Sequence, residues 1–454
     1  MKTKLALILL LVIQNLYSQT GFTKLFPEIS VQYPNNFILI DNGIVAIGTK
    51  DNSMYIANID STNQIVWDKK LQCEFSNTSG RKLVKSSDTT FICLGNNDEK
   101  IFIAKLKTNG DTIWTKSYSG LLYGSANDLL IDSNNNILVC GYTNDEFRSA
   151  YKVGFLLKLD SNGDSIYFKS INEISLFNSI TELNNGYLVA GAIQNYSESN
   201  KKVFIANYNS EGDTIWTKQY GEPRLGAGAY SVDKTNDNNF LVAGTSETWG
   251  TSYNECYILK INQNGDTLWT KTYGYQFYQD IANFIKKISD TTYIVVGKLD
   301  GVFVGDKTQG FYSILNSDGE IILNRTYYSS ENAIFHSAEM LAENTYLILG
   351  SQGNNLLLIK SNEYGGFDIY NDIEEIENPN FLFYPNPAEN TIYLRELPTH
   401  SDNIDIFDVN GQLVYSTTNN SNSIDINISN LQKGIYLIRV KGVDYFKTVR
   451  FIKK

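Results

Sequence analysis

Ile137-Leu-Val-Cys-Gly141 is a short apolar run closed by a glycine, and runs of this kind occur seven times in the chain. Its counterparts are Ile44 to Gly48, Phe91 to Gly95, Tyr187 to Gly191, Phe240 to Gly244, Tyr293 to Gly297 and Tyr346 to Gly350. Successive glycines stand 47, 46, 50, 53, 53 and 53 residues apart. That period is too regular for chance and lies near the length of a four-stranded unit in a radially repeated β architecture. A continuous apolar run suits a strand covered on both faces by neighbouring units.

Working outward, each run is followed by a second strand, such as Phe155 to Leu159, Phe204 to Tyr208 or Tyr257 to Ile261, and then by a turn signal. The turns read Asn109-Gly-Asp111, Asn162-Gly-Asp164, Glu211-Gly-Asp213, Asn264-Gly-Asp266 and Asp318-Gly-Glu320. Asn-Gly and Asp-Gly tolerate the positive φ that a tight hairpin demands. The next strand is Thr112-Ile-Trp-Thr-Lys-Ser-Tyr118, echoed at Thr214 to Tyr220 and Thr267 to Tyr273. With side chains alternating, Trp114, Lys116 and Tyr118 share one face. A half-polar strand upstream of each glycine run, for example Asn127 to Asp132, makes four strands per unit. The expected fold is all-β: a seven-bladed β-propeller. No Trp-Thr-Lys strand follows Leu356 to Lys360, whereas Gly21-Phe-Thr-Lys-Leu-Phe26 has that pattern. The N-terminal segment is therefore expected to close blade seven and remove the open edge between first and last blades.

Composition agrees with a β-rich chain: 454 residues hold 30 Tyr, 23 Phe and 33 Gly against 7 Pro and 3 Met. A net charge of -11 argues against nucleic acid as a partner, because phosphate binding rests on a basic footprint. Two early lysines, the apolar run Leu5 to Ile13 and the small polar Ser18 predict a signal peptide over 1–18. Beyond it no apolar stretch is long enough to span a membrane as a helix. Cys73, Cys93, Cys140 and Cys256 lack zinc-site spacing; Cys93 and Cys140 sit inside apolar runs and read as buried free thiols.

The repeats resemble, over residues 21–366, the glycine-ended, Asn-Gly-Asp-Thr-Ile-Trp-Thr-Lys-bearing propeller repeats of secreted Bacteroidetes proteins, and the propeller is expected to occupy 19–366. An acidic linker, 367–380, carries Asp368, Asp372, Glu374, Glu375 and Glu377. Residues 381–454 have alternating strands and an Asn410-Gly411 hairpin signal, which predicts a small immunoglobulin-like β-sandwich. Within them, Tyr384-Pro385-Asn386-Pro387, Ile404 to Gly411, the Gly434-Ile-Tyr436 strand and the basic end Arg450 to Lys454 resemble the type A sorting domain of type IX secretion cargo. That resemblance implies recognition by the type IX machinery through 381–454, and a destination outside the cell or on the outer-membrane surface.

Catalytic material is scarce. His336 and His400 are the only histidines and fall in different predicted domains, so neither a His-based triad nor a His-rich metal site is expected. The Asp-Thr-Ile triplets differ from the sialidase Asp box because Gly110, Gly212 and Gly265 precede the aspartate, and they lack the Thr-Gly-Lys of quinoprotein propellers. Asp160-Ser-Asn-Gly-Asp164 resembles half a calcium loop, although a plain hairpin is the simpler reading. No metal or other cofactor is expected. Thr112, Ser165, Thr214 and Thr267 lie in triplets that resemble Bacteroidetes O-glycosylation acceptors.

Long connections, such as Tyr142 to Lys152 and Ser246 to Glu255, all leave one rim, which is where binding residues gather over a rigid scaffold. Trp249, Tyr253, Arg224 and Tyr278 are the expected contact surface for a glycan or protein ligand. The expected function is a non-catalytic binding or adhesion module. A surface structural protein and a hydrolase with an unfamiliar carboxylate site are the alternatives.

Overall fold

A computed structural model describes residues 21–30, 36–71, 77–96, 100–119, 124–144, 152–194, 201–221, 227–247, 254–274, 279–300, 307–342, 344–361, 366–367, 382–397, 402–408, 413–419, 421–441 and 446–454. Trp249, Tyr253, Arg224, Tyr278, His400, Gly411 and Cys73 lie outside them. The described residues form strands and turns and no helix. The chain separates into two compact units, Met1–Ile369 and Tyr370–Lys454.

The first unit is a propeller of seven four-stranded blades. Blade one is Asn36–Ile40, Gly43–Lys50, Ser53–Asp60 and Ile65–Leu71, innermost to outermost, and every later blade follows the same antiparallel order. Blades three and four are joined because one strand, Ser165–Leu183, is outermost in the first and innermost in the second. Blade seven has Ala333–Ala342, Thr345–Gln352 and Asn355–Lys360 from the end of the repeat, and its fourth strand is Phe22–Ser30 from the beginning. Phe22 pairs with Lys360 and Phe26 with Leu356, which is the closure expected from the aromatic spacing. Phe26 is buried among Phe37, Ile44 and Tyr55 of blade one and Leu349 and Leu358 of blade seven.

Burial explains why the middle strands are apolar throughout. Phe240–Glu247 and Ser53–Asp60 bury all but their last residue, because blades stack against both faces. Outermost strands alternate: in Thr112–Ser119 and Thr214–Tyr220 the aromatic side is half-buried and the threonine side exposed. Phe367 packs edge-on against Tyr327 and Phe335, tying the end of the repeat to blades six and seven.

The second unit is a small sandwich of two sheets. Leu382–Tyr384, Thr391–Arg395 and Ser423–Asn427 form one; Asp402–Phe407, Leu413–Asn419, Gly434–Lys441 and Phe446–Lys453 form the other. Ile392, Leu394 and Ile426 meet Ile404, Ile406, Ile438, Val440 and Phe451 in its core. No helix among the described residues is long and apolar enough to cross a membrane.

Candidate functional site at the channel mouth

In blades two to seven the glycine that ends the apolar run marks where the innermost strand bulges. At Gly191 a Cβ would come within 1.7 Å of the Leu176 carbonyl oxygen, so no larger residue fits beneath the neighbouring strand. Opposite these glycines the innermost strands slip register, between Gly80 and Lys82, Ala126 and Asp128, Phe177 and Ser179, Ala229 and Ser231, Ala282 and Phe284, and Phe335 and Ser337. Each slip leaves one extra residue: Arg81, Asn127, Asn178, Tyr230, Asn283 or His336. A bulge re-aims its side chain out of the ladder, and here six blades aim into one cavity.

That cavity has a volume of about 230 Å³, and its lining also includes Lys82, Asp128, Ser179, Ser231 and Phe284. Since six blades contribute, it lies on the propeller axis. Each bulge falls a few residues into its innermost strand, so the cavity sits at the end of the channel from which the long connections leave. Glycan-contact residues expected on those connections lie outside the described residues, so the structure assigns the mouth without them.

A belt of hydrogen bonds holds the lining. Asn127 donates to the Phe177 carbonyl at 2.7 Å and to Asn178 Oδ1 at 3.2 Å; Asn178 donates to the Ala229 carbonyl at 2.7 Å, and Asn283 to the Phe335 carbonyl at 3.0 Å. A second belt uses the next residue along. Asp128 Oδ2 accepts from the Ile180 N–H at 3.0 Å and from the Ser179 hydroxyl at 3.0 Å. Ser179 Oγ accepts the Val232 N–H, and Ser231 Oγ accepts the Ile285 N–H, each at 3.2 Å. These bonds pass from blade to blade, so the mouth is organised before any ligand arrives.

Electrostatics are modest but directional. Lys82 Nζ lies 3.0 Å from Asp128 Oδ1, which pairs the one carboxylate among the described lining residues with a cation. Arg81 is the second cation there. Burial pushes the His336 imidazole down to about 4, so the ring is neutral at pH 7, with Nε2 3.5 Å from Ser351 Oγ. Burial also raises the Tyr230 hydroxyl, although 40% of the residue's surface remains accessible, towards the lumen. Sequence reading gave His336 no catalytic or metal-binding role. It missed the ring because its signal is a pair of positions, a terminal glycine and a residue some thirteen or fourteen earlier on a different strand.

Other expected sites are placed as follows. Thr112, Ser165, Thr214 and Thr267 each open an outermost strand and are exposed. Asp160 Oδ1 accepts the N–H groups of Asn162 and Asp164, which is what a hairpin turn asks of it. Among the described residues no group of three or more His, Cys, Asp or Glu is placed to hold a metal ion. Cys93, Cys140 and Cys256 are buried free thiols. In the second unit, Asn386 of the Tyr384-Pro-Asn-Pro387 segment donates to the Arg450 carbonyl and accepts the Ile452 N–H, both at 3.0 Å. The motif is thereby tied to the basic last strand. Tyr436 stacks on Phe451 at 5.5 Å and donates to the Gln432 carbonyl at 2.9 Å.

Residues 382–454 match the secretion system C-terminal sorting domain. This sorting domain implies export by the type IX secretion system to the cell surface or the medium. No curated protein matches the chain. Among solved structures, it is similar to PorZ, a surface component of the type IX secretion system of Porphyromonas gingivalis, at 14% identity and a TM-score of 0.44. That similarity covers 92% of this chain and 59% of PorZ, so the chain spans little more than half of PorZ's length. It is also similar to the Neurospora crassa Pan2 WD40 domain, at 12% identity and TM-score 0.49 over 76% of this chain and 95% of that one. A puromycin hydrolase is similar at 7% identity and TM-score 0.50 over 81% of this chain and 60% of that one. These neighbours include enzymes and non-enzymes.

Proposed function

We propose that the chain is a secreted or surface-held propeller that acts as a non-catalytic binding module, with its ligand entering the channel mouth. In this reading residues 1–18 direct export across the inner membrane, the acidic stretch after Phe367 is a linker, and the sorting domain is a handle for export. The observation that carries the binding role is the preorganised polar cavity of about 230 Å³. A hydrolase acting through carboxylates draws on a pair of them, whereas among the described residues the lining offers Asp128 alone, engaged by Lys82 and the Ile180 N–H. Trp249, Tyr253, Arg224 and Tyr278 would extend the contact surface around the mouth.

Fractionation of the native host with mass spectrometry tests the export half. The full-length chain is expected outside the outer membrane, and a chain truncated after Gly366 is expected to stay in the periplasm. If the truncation is exported equally well, the sorting domain is not the handle.

A second proposal concerns Thr112, Ser165, Thr214 and Thr267 as O-glycan acceptors. Packing does not explain the aliphatic residue that follows each: Ile113, Ile166, Ile215 and Leu268 are all exposed. An exposed hydroxyl beside an exposed aliphatic side chain suits recognition by a modifying enzyme better than it suits folding. Native protein with the intact mass of the bare chain would sink this proposal.

A further inference from the structure

Resting on the export reading above, we infer that the secretion machinery grips the sorting domain on the outer face of its four-stranded sheet, at an apolar patch made by Phe407, Leu413, Ile435, Leu437 and Ile452. The partner this face fits is a protein surface with an apolar centre and carboxylates at its edge.

One strand opens the case. An antiparallel strand with one covered face should read apolar inward and polar outward. In Gly434–Lys441 the inward side is Tyr436, Ile438 and Val440, all buried in the sandwich core. The outward side begins with Ile435 and Leu437 and turns polar only at Arg439. Its first half is thus apolar on both faces, which suits a strand covered on both. Yet the outward face is open, with Ile435 46% and Leu437 41% exposed.

Strand pairing gathers neighbours into one patch. Phe407 stands opposite both Leu413 and Leu437, and Ile435 stands opposite Ile452, so these side chains share a face of the sheet. Leu413 and Ile452 are 51% and 41% exposed. Single exposed aliphatic residues are ordinary on a surface, whereas a contiguous set on one sheet face marks an interaction site.

The surroundings of the patch give the partner's chemistry. At one end Asp405 is engaged within the domain: Arg439 Nη2 lies 2.9 Å from its Oδ2, and the Ser416 hydroxyl donates to its Oδ1 at 2.7 Å. The Arg439 guanidinium also lies over the Phe407 ring, 4.7 Å from its centre. Arg450 is exposed opposite Leu437. Lys433 and Lys454 are exposed where Gly434 pairs with Lys453, at the end that carries Ile435 and Ile452. An apolar centre with a charged rim is the anatomy of a protein interface, and a cationic rim calls for carboxylates opposite it. A second copy of the chain would bring cations of the same sign to the contact. The match of residues 382–454 to the sorting domain implies engagement with the secretion system, which supplies the occupant.

The test follows export of the full-length chain in its native host by fractionation and mass spectrometry. Ile435→Thr combined with Leu437→Thr keeps strand-forming residues on an exposed face, so the native melting transition is expected to survive. Export is expected to fall about tenfold or more, as for removal of two central interface side chains. Arg450→Glu, at an exposed position, is expected to reduce export as well. Native export of the folded double variant, or of Arg450→Glu should the double variant unfold, overturns the proposal. Equal export of the chain truncated after Gly366 would instead bring down the export reading beneath it. A photoreactive amino acid in place of Leu437 separates the occupants. A cross-link to an identified protein of the secretion system is expected, whereas a cross-link to a second copy or to the chain's own propeller overturns the assignment.

Discussion

Lys218 Nζ lies 2.8 Å from Asp266 Oδ1, across the boundary between blades four and five. The lysine stands on an outermost strand and the aspartate in the next blade's hairpin turn. On the same face Tyr220 donates to the Gly265 carbonyl at 2.6 Å, and Trp216 covers that glycine. Lys116 meets Asp164 and Lys169 meets Asp213 in the same way, and Tyr118 reaches the Gly163 carbonyl. The outermost-strand motif and the Asn-Gly-Asp turn are therefore two halves of one clamp, by which blades two to five each grip the turn of the next. Repetition of both motifs follows from this single contact.

Gly265 serves the clamp twice over. Its φ is +76°, and a Cβ would meet the Trp216 ring at 2.8 Å. Gly265→Ala should therefore cost about 1–3 kcal/mol, combining backbone strain with displacement of the indole. Urea denaturation of the propeller checks this. An unchanged midpoint would show that turn and indole shift without cost.

Closure of the ring predicts a larger effect at Phe26, which is buried between blades one and seven. Phe26→Ala should cost about 3–5 kcal/mol, the range for removing a buried phenyl ring. Deleting residues 21–30 should do more, because it leaves Asn355–Lys360 as an unpaired apolar edge. Size-exclusion chromatography should then show association, whereas a monomer of native stability would mean the closing strand is dispensable.

His336 makes the propeller sensitive to acid. Its imidazole is held at about 4 by burial, below the ordinary 6.5, so the unfolded chain takes up a proton that the folded one refuses. The stability difference is fully present above pH 6.5 and is lost as pH falls from 6.5 towards 4. It amounts to at most about 3 kcal/mol, reduced because the ring faces the lumen. Melting curves of His336→Gln should fall less steeply than native ones across that window. Parallel curves would mean the ring is solvated enough to titrate normally.

Asn386 is expected to matter for export through the fold of the sorting domain. It holds the Tyr384-Pro-Asn-Pro387 segment to the last strand by two bonds, each worth about 0.5–1.5 kcal/mol. Asn386→Ala should lower the sandwich's melting temperature and leave more protein in the periplasm. Normal export of a destabilised variant would show that the machinery reads another part of the domain.

Much of the scaffold was legible because it rests on local rules that repeat. Seven glycine-closed runs, alternation in Thr214 to Tyr220 and the turn at Asn264-Gly265 each have a physical reason within a few residues of chain. Even the closing strand was visible, since Phe22 and Phe26 copy the spacing of Trp114 and Tyr118. The sorting domain was legible for another reason: its segments recur in order along 382–454.

The channel mouth was not legible, although the signal lay inside the same repeats. Gly191 announced an apolar run, but only the packed sheet shows that it is small because the Leu176 and Phe177 backbone arches over it. Arg81, Asn127, Asn178, Tyr230, Asn283 and His336 have little chemistry in common, so no residue pattern joins them. By itself the sequence determined the blades, their number, their closure and the export domain, because periodic burial and turn chemistry are short-range properties. Only the tertiary structure decided that six bulges face one axis, because that convergence depends on closing the whole ring.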